Sequence, residues 1–483
     1  MNIKLIFKVI SILLAAVAAA QIPSLLWAFY FGETDMAANF GISISTAMLV
    51  AIFIYLCCRR LRHNRLSLKD SFILVASLWL VSTVAGSVPF YLSGVTASPA
   101  DAFFETMSGL STTGATVFGD VESFPKSLLF WRSTTHFMGG MGIVILTVAI
   151  FPLIGIGTVN MTKAETTGPS TQKIMPKIAE TARILWYIYM ILTFGEMLLL
   201  KFAGMPWFDA ITHSMGTVST GGFSIRNEGI SSYNSLPIDL IMTLFMFAGG
   251  VNFVLYYRLI TGNTKVLRNN TEFKVYTSVF IAAALIIAAS LYGGNHYSLV
   301  DSLRHGSFQA ISIMTTSGFS SADYADWPAT ARIVLLILMF SGGCAGSTSG
   351  GIKIIRHTIV FRQFFTEFKQ LLRPKGVFII RDNDTTIKQS TTLSVTSFIL
   401  LYITVTVLSA LIISTGGYDF VTSVSAAIST IGNVGPGFGM ISPMENYGFF
   451  SSGIKFFLSF LMLAGRLELY TILILFTGAF RRR

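Results

Sequence analysis

Four short stretches carry the residue types from which a cation site can be built without any charged ligand. They are Ser111-Thr112-Thr113-Gly114, Ser219-Thr220-Gly221-Gly222, Thr315-Thr316-Ser317-Gly318 and Gly432-Asn433-Val434-Gly435. A glycine closes all four in the same register. Backbone carbonyl oxygens can replace the water shell of a monovalent cation. Glycine permits the left-handed and mirror conformations that a Cβ would block, so consecutive carbonyls can turn toward one axis. Other chemistries find less support. Three scattered cysteines (Cys57, Cys58, Cys344) and six histidines form no disulfide framework and no metal-ligand spacing. A membrane-embedded lipid-modifying enzyme would have to use Asp101, Glu105 and His136, which fall in different predicted elements. A receptor-like scaffold would leave four such stretches unexplained.

Each stretch must be held by its surroundings, and the chain repeats the same device. An aspartate (Asp101, Asp209, Asp301, Asp419) opens an apolar segment too short to span a membrane: 102–110, 210–218, 302–314 and 420–429. From aspartate to glycine the count is 13, 13, 17 and 16 residues. Aspartate is a favoured N-cap, so these four are read as caps of re-entrant half-helices. Their C-termini would point partial negative charge at the converging loops and favour a cation. Non-helical backbone at membrane depth is tolerated only where protein buries it or water reaches it.

Composition agrees with a membrane setting. Of 483 residues, 53% are hydrophobic and 12% charged, with a mean hydropathy of +0.67, too little polar surface for a soluble chain of this length. Apolar stretches predict ten spans at about 4–31, 40–58, 71–94, 128–155, 184–204, 236–262, 273–294, 331–360, 392–417 and 453–480. The first is too long for a signal-peptide core and is read as retained. With the N-terminus inside, 26 of the 34 Lys and Arg residues fall on or beside the cytoplasmic face. That bias places both termini in the cytoplasm and accounts for the net charge of +11 without nucleic acid. The predicted fold is an all-α integral membrane protein. Two leading helices and a basic loop (1–70) precede four pseudo-repeats of helix, pore loop and helix around one pore: 71–160, 161–265, 266–385 and 386–483.

The second helix of each repeat carries aligned small residues: Gly139-Gly140, Gly249-Gly250, Gly342-Gly343 and, in the fourth, Gly465-Arg466. Glycine pairs allow kinks or close helix contact. Burying an arginine at mid-membrane is costly, so Arg466 should face water or a partner. Glu468 lies on another face of a regular helix, and Arg466 is read as a positive barrier beneath the loops. Residues 342–351 include Gly346, Gly350 and Gly351 and hold five glycines in ten positions, too many for a stable helix in lipid. This segment is read as an unwound intramembrane gate, with Cys344 as a small packing residue.

These residues resemble the Trk/Ktr/HKT superfamily of potassium transporters, from about residue 71 to the C-terminus. The two extra N-terminal helices are similar to those of its bacterial Trk uptake subgroup. The resemblance implies low-affinity potassium uptake across the bacterial inner membrane, by symport or as a channel, with K+ as the transported ion and no organic cofactor. Carbonyls of Thr112, Thr113, Thr220, Gly221, Thr316, Ser317, Asn433 and Val434 would bind the ion. Plant relatives selective for sodium tend to carry serine at the first filter glycine, whereas Gly114, Gly222, Gly318 and Gly435 match the potassium-selective pattern. The family further implies a homodimer, a joint gating role for the glycine-rich loop and Arg466, and a cytoplasmic nucleotide-binding (NAD/ATP-type) regulatory subunit. No Walker phosphate loop or dinucleotide motif occurs in this chain, so nucleotide control needs that partner. The basic segments 353–388 and 163–183 are candidate docking surfaces, and equally ordinary positive-inside loops that meet anionic lipid. A less selective pathway for sodium or ammonium is the alternative within the same class.

Overall fold

The computed structural model describes residues 3–59, 67–142, 178–294, 296–376, 378–382 and 385–478. Their regular secondary structure is helical apart from a ladder of two-residue antiparallel strands, Arg381–Asp382 against Thr385–Thr386. Among the described residues, six helices are long and apolar enough to cross a membrane: Ile3–Phe31, Thr34–Cys57, Lys69–Leu92, Ala182–Phe202, Thr271–Gly293 and Gln389–Ser414. Caps set several of these helix starts. Ser67 and Asp70 form a reciprocal capping box, and Asn270 accepts from the Phe273 amide at 2.8 Å. Leu49, Phe53, Leu400, Val407 and Leu411 are exposed on two of these helices, an apolar exterior suited to hydrocarbon.

Four short helices lie inside this shell: Pro99–Leu110, Trp207–Val218, Leu299–Met314 and Phe420–Gly432. Ten of the twelve residues in the first are buried, as are eight of twelve in the second. Their starts correct the expected capping pattern, because only Asp419 is an N-cap, accepting from the Thr422 amide at 3.0 Å. Asp101, Asp209 and Asp301 sit one turn in, behind N-caps Ser98, Pro206 and Ser298. Ser98 and Ser298 each accept the amide of, and donate to the carboxylate of, the aspartate three residues on. Counted from the true cap, the distance to the closing glycine is 16 residues in three cases (98 to 114, 206 to 222, 419 to 435). In the third it is 20 (298 to 318), about one extra helical turn.

Asp101 does more than shape a helix start. Its Oδ1 receives Lys455 Nζ at 2.6 Å, tying the first short helix to the helix Ser452–Arg466, with both side chains largely buried. Removing one partner of such a pair strands a buried charge and costs about 3–5 kcal/mol. Lys455→Met is therefore expected to lower the thermal midpoint of the detergent-solubilised protein clearly. An unchanged midpoint would show that the pair contributes nothing.

The second helices are not continuous. Lys126–Phe137 passes into a π-turn at Met138–Gly142, and the rest of the 128–155 span lies outside the described residues. Leu236–Gly249 and Phe253–Ile260 meet at 94°, and Ser452–Arg466 and Tyr470–Phe476 at 113°, where unbroken spans were expected. Between Ala329–Leu338 and Ile354–Leu372 the backbone is non-helical, and Ser341 bridges Ile352. The breaks fall at the aligned glycines for a steric reason. A Cβ on Gly139, Gly249 or Gly465 would press on the carbonyl of Leu110, Val218 or Ile431, the last turn of the neighbouring short helix.

Candidate functional site: a ring of four loops

Each short helix ends in the same way. The residue after the cap, or in the fourth helix the cap itself, takes the left-handed conformation: Thr112 (φ +54°), Thr220 (+55°), Thr316 (+58°) and Asn433 (+57°). The next amide then reaches back five residues: Thr113 to Ser108 O at 2.9 Å, Gly221 to Gly216 at 2.8 Å, Ser317 to Ser312 at 2.8 Å, Val434 to Ser429 at 2.9 Å. This is the Schellman pattern, which satisfies the last carbonyls of each helix. Glycine is its usual left-handed residue, whereas threonine there is an outlier held by its surroundings. Two residues on, Gly114, Gly222, Gly318 and Gly435 again have positive φ (+80°, +87°, +77°, +97°).

The four glycines close a ring. A methyl group on Gly114 would strike the carbonyl oxygen of Gly221, one on Gly222 that of Ser317, one on Gly318 that of Val434, and one on Gly435 that of Thr113. Each loop thus abuts the next, and the fourth returns to the first. All four glycines also line one cavity of roughly 90 Å³. Hydroxyl groups brace the loops from behind: Ser111 with Thr113 at 2.7 Å, Thr315 with Ser317 at 2.8 Å, and Ser429 donating to Gly435 O at 2.7 Å. Asn433, the residue that breaks the Thr/Ser pattern, compensates by reaching across the ring. Its Nδ2 donates to Thr113 Oγ1 at 3.0 Å and to Met462 O at 2.9 Å.

On the other side of the loops lie Arg466 and the segment 342–351. Arg466 donates to Thr348 O at 2.7 Å, Gly139 O at 2.6 Å and Gly140 O at 2.9 Å, so its guanidinium ties its own helix to the π-turn and to the segment 342–351. Glu468 pairs with Arg356; it lies not on another face of a continuing helix, as expected, but past the helix end at Arg466, in the left-handed conformation (φ +57°). The segment itself hangs from the ring. Thr348 Oγ1 donates to Val218 O at 3.0 Å, and Gly350 N–H to Thr316 Oγ1 at 2.7 Å. Gly346 and Gly351 have φ of +77° and +62°, and a methyl on Gly350 would press on Gly432 O. Glu272 anchors it from the start of another helix, accepting from Ala345 N–H at 2.7 Å and Ile355 N–H at 3.2 Å.

The candidate enzyme residues are engaged elsewhere. Asp101 holds Lys455, Glu105 receives Arg132 Nε at 2.6 Å, and His136 bonds backbone groups. No group of three His, Cys, Asp or Glu side chains fit to hold a metal occurs among the described residues. Of the two docking candidates, 163–177 lies outside the described residues. The other includes Ile354–Leu372, with Phe361, Phe364, Phe365 and Phe368 exposed. Glu272, the Glu105–Arg132 pair and the His136 bonds escape sequence reading, because their partners lie far along the chain.

Comparison with known proteins places this arrangement. The chain is 35% identical to the Trk system potassium uptake protein TrkH of Halomonas elongata, each covered over 100% of its length. It is 37% identical over 427 residues, 88% of each chain, to the protein of that name from Escherichia coli K12. The crystal structure of the potassium transporter TrkH from Vibrio parahaemolyticus matches with a TM-score of 0.89 at 34% identity, 100% of each chain being covered. A family model described as "TrkH: Cation transport protein" matches residues 40–481. With that, the chain belongs to the TrkH family of cation transport proteins, a family of transporters and not of enzymes.

Proposed function

We propose that the chain takes up potassium across the bacterial inner membrane through a selectivity filter made by its four loops. The observation that carries this reading is the closed ring in which Gly114, Gly222, Gly318 and Gly435 each abut a carbonyl of the neighbouring loop. A ring of neutral backbone oxygens can stand in for the hydration shell of a monovalent ion without trapping it. The four helix C-termini add partial negative charge from behind. Relatives named as potassium uptake proteins support potassium as the ion. In this reading ten spans and four pseudo-repeats surround one pore, and both termini are cytoplasmic. Two copies form a homodimer amid membrane lipids, and a cytoplasmic nucleotide-binding subunit acts on the gate.

The gate is Arg466 with the loop 342–351. Glu272 is its latch, since its carboxylate holds one amide within the loop, at Ala345, and one just past it, at Ile355. A hydrogen bond to a charged group contributes about 1.5–3 kcal/mol. Losing one in the closed state shifts the opening equilibrium about tenfold or more. Glu272→Ala should accordingly raise unstimulated rubidium uptake by about that factor; unchanged or slower uptake by a folded variant would remove Glu272 from the gate.

Rubidium uptake into proteoliposomes, with potassium, sodium, ammonium and lithium as competitors, tests the transport reading. Inhibition by potassium but not sodium or ammonium supports it. Equal inhibition by all the monovalent ions would indicate an unselective pathway, and no uptake would overturn it.

A further inference from the structure

The four seams between filter loops are not equivalent. Counting three residues back from the aligned glycines gives Met246, Met339 and Met462 in the second to fourth repeats, all buried, but His136 in the first. Its ring is fully buried with both nitrogens bonded to backbone of different repeats. Nδ1 lies 2.8 Å from Gly109 O, in the last turn of the first pore helix. Nε2 lies 3.1 Å from the amide nitrogen of Phe223, the residue after filter glycine Gly222. A carbonyl only accepts and an amide only donates, so the imidazole is neutral, with its proton on Nδ1. The ring also packs against Phe223 at 4.0 Å between centroids, and a methyl on Gly221 would run into it.

One helical turn earlier on the same face, Arg132 completes the brace. It donates to Ser224 O at 2.6 Å, lies 3.7 Å over the Phe223 ring, and is steered by Glu105. Glu105 in turn accepts from Thr116 and from Val117 N–H, just past filter glycine Gly114. The segments leaving the first and second filters are therefore pinned to one helix, Lys126–Phe137.

The geometry points to His136 as a specificity-determining positioning residue: a two-ended spacer that sets the separation of the first and second filter loops, and with it the potassium-over-sodium preference. Methionine, buried at the equivalent position of the other three repeats, has no donor to offer and only a weakly accepting thioether. A polar bridge fixes the spacing of two loops more firmly than packing does; Asn433 supplies one between the fourth and first loops through Thr113, and His136 supplies the one between the first and second. This inference rests on the transport reading above and names a determinant within that filter.

The test compares wild type, His136→Met and His136→Gln in the rubidium assay, with potassium and sodium as competitors. Methionine should pack as it does in the other three repeats, so the variant should still fold and conduct. Its potassium-over-sodium discrimination should fall at least about fivefold, the factor that corresponds to about 1 kcal/mol, the net worth of a single hydrogen bond, where two are disrupted. Glutamine, with one donor and one acceptor, should recover most of that preference. A second readout is the gain in thermal midpoint in potassium over sodium chloride, which should shrink in the Met variant and return in the Gln variant. Wild-type discrimination in His136→Met would overturn the inference and leave the transport reading intact. Wild-type protein without selective uptake would overturn both.

Discussion

Gly222→Ala should abolish potassium-selective uptake, whereas Gly94→Ala should leave it unchanged. Both glycines have positive φ, +87° and +73°, so each substitution carries the left-handed penalty of about 1–2 kcal/mol. The difference lies in what the new methyl meets. At Gly94 nothing lies within 4 Å. At Gly222 it strikes the Ser317 carbonyl oxygen, backbone that moves only if the third filter moves with it. Forcing extra volume into a packed site adds about 1–3 kcal/mol, relieved here by opening the ring. A displaced carbonyl no longer matches the ion, so uptake should fall at least about tenfold, the rate factor for 1.4 kcal/mol. Any residual flux should admit sodium. Gly318→Ser makes the same test against Val434 O. A Gly222→Ala protein with wild-type flux and selectivity would refute the ring as the filter.

Arg466→Ala should accelerate uptake in the absence of any regulatory partner. The guanidinium is held by three carbonyls beneath the loops, where, on the proposed reading, a passing cation would meet a like charge. Two unit charges 4 Å apart repel by about 4 kcal/mol at an effective dielectric of 20. A quarter of that removed from the barrier raises the rate about fivefold. The substitution also frees Thr348 from Gly139 and Gly140, loosening the loop. Arg466→Lys keeps the charge but loses the fork that spans those carbonyls, so it should fall between alanine and wild type. Slower uptake in a folded Arg466→Ala protein would instead make the arginine part of the conducting path.

Local pattern carried much of this architecture. The four glycine-closed loops, the apolar half-helices behind them and the interruption at 342–351 are all short-range signals, readable from residue type and spacing. The aspartates misled because Asp101, Asp209 and Asp301 favour both the N-cap and the first turn. The Ser98-x-x-Asp101 and Ser298-x-x-Asp301 boxes were the signal that separates these positions. Threonine in the left-handed conformation was not legible, because its local preference opposes that geometry and the closed ring imposes it. The bends at Gly250 and Arg466 follow from contact with a neighbouring half-helix, which spacing along one chain segment does not encode. The same holds for Glu272, His136 and Asn433, whose partners are 73, 87 and 320 residues away.

Anomalous diffraction from crystals soaked in a rubidium or thallium salt tests the central claim most directly. Density on the axis of the ring formed by Thr113, Gly221, Ser317 and Val434 is the predicted result, displaced by potassium and not by sodium. An empty ring, with the heavy ion bound elsewhere along the chain, would contradict the four loops as the cation site.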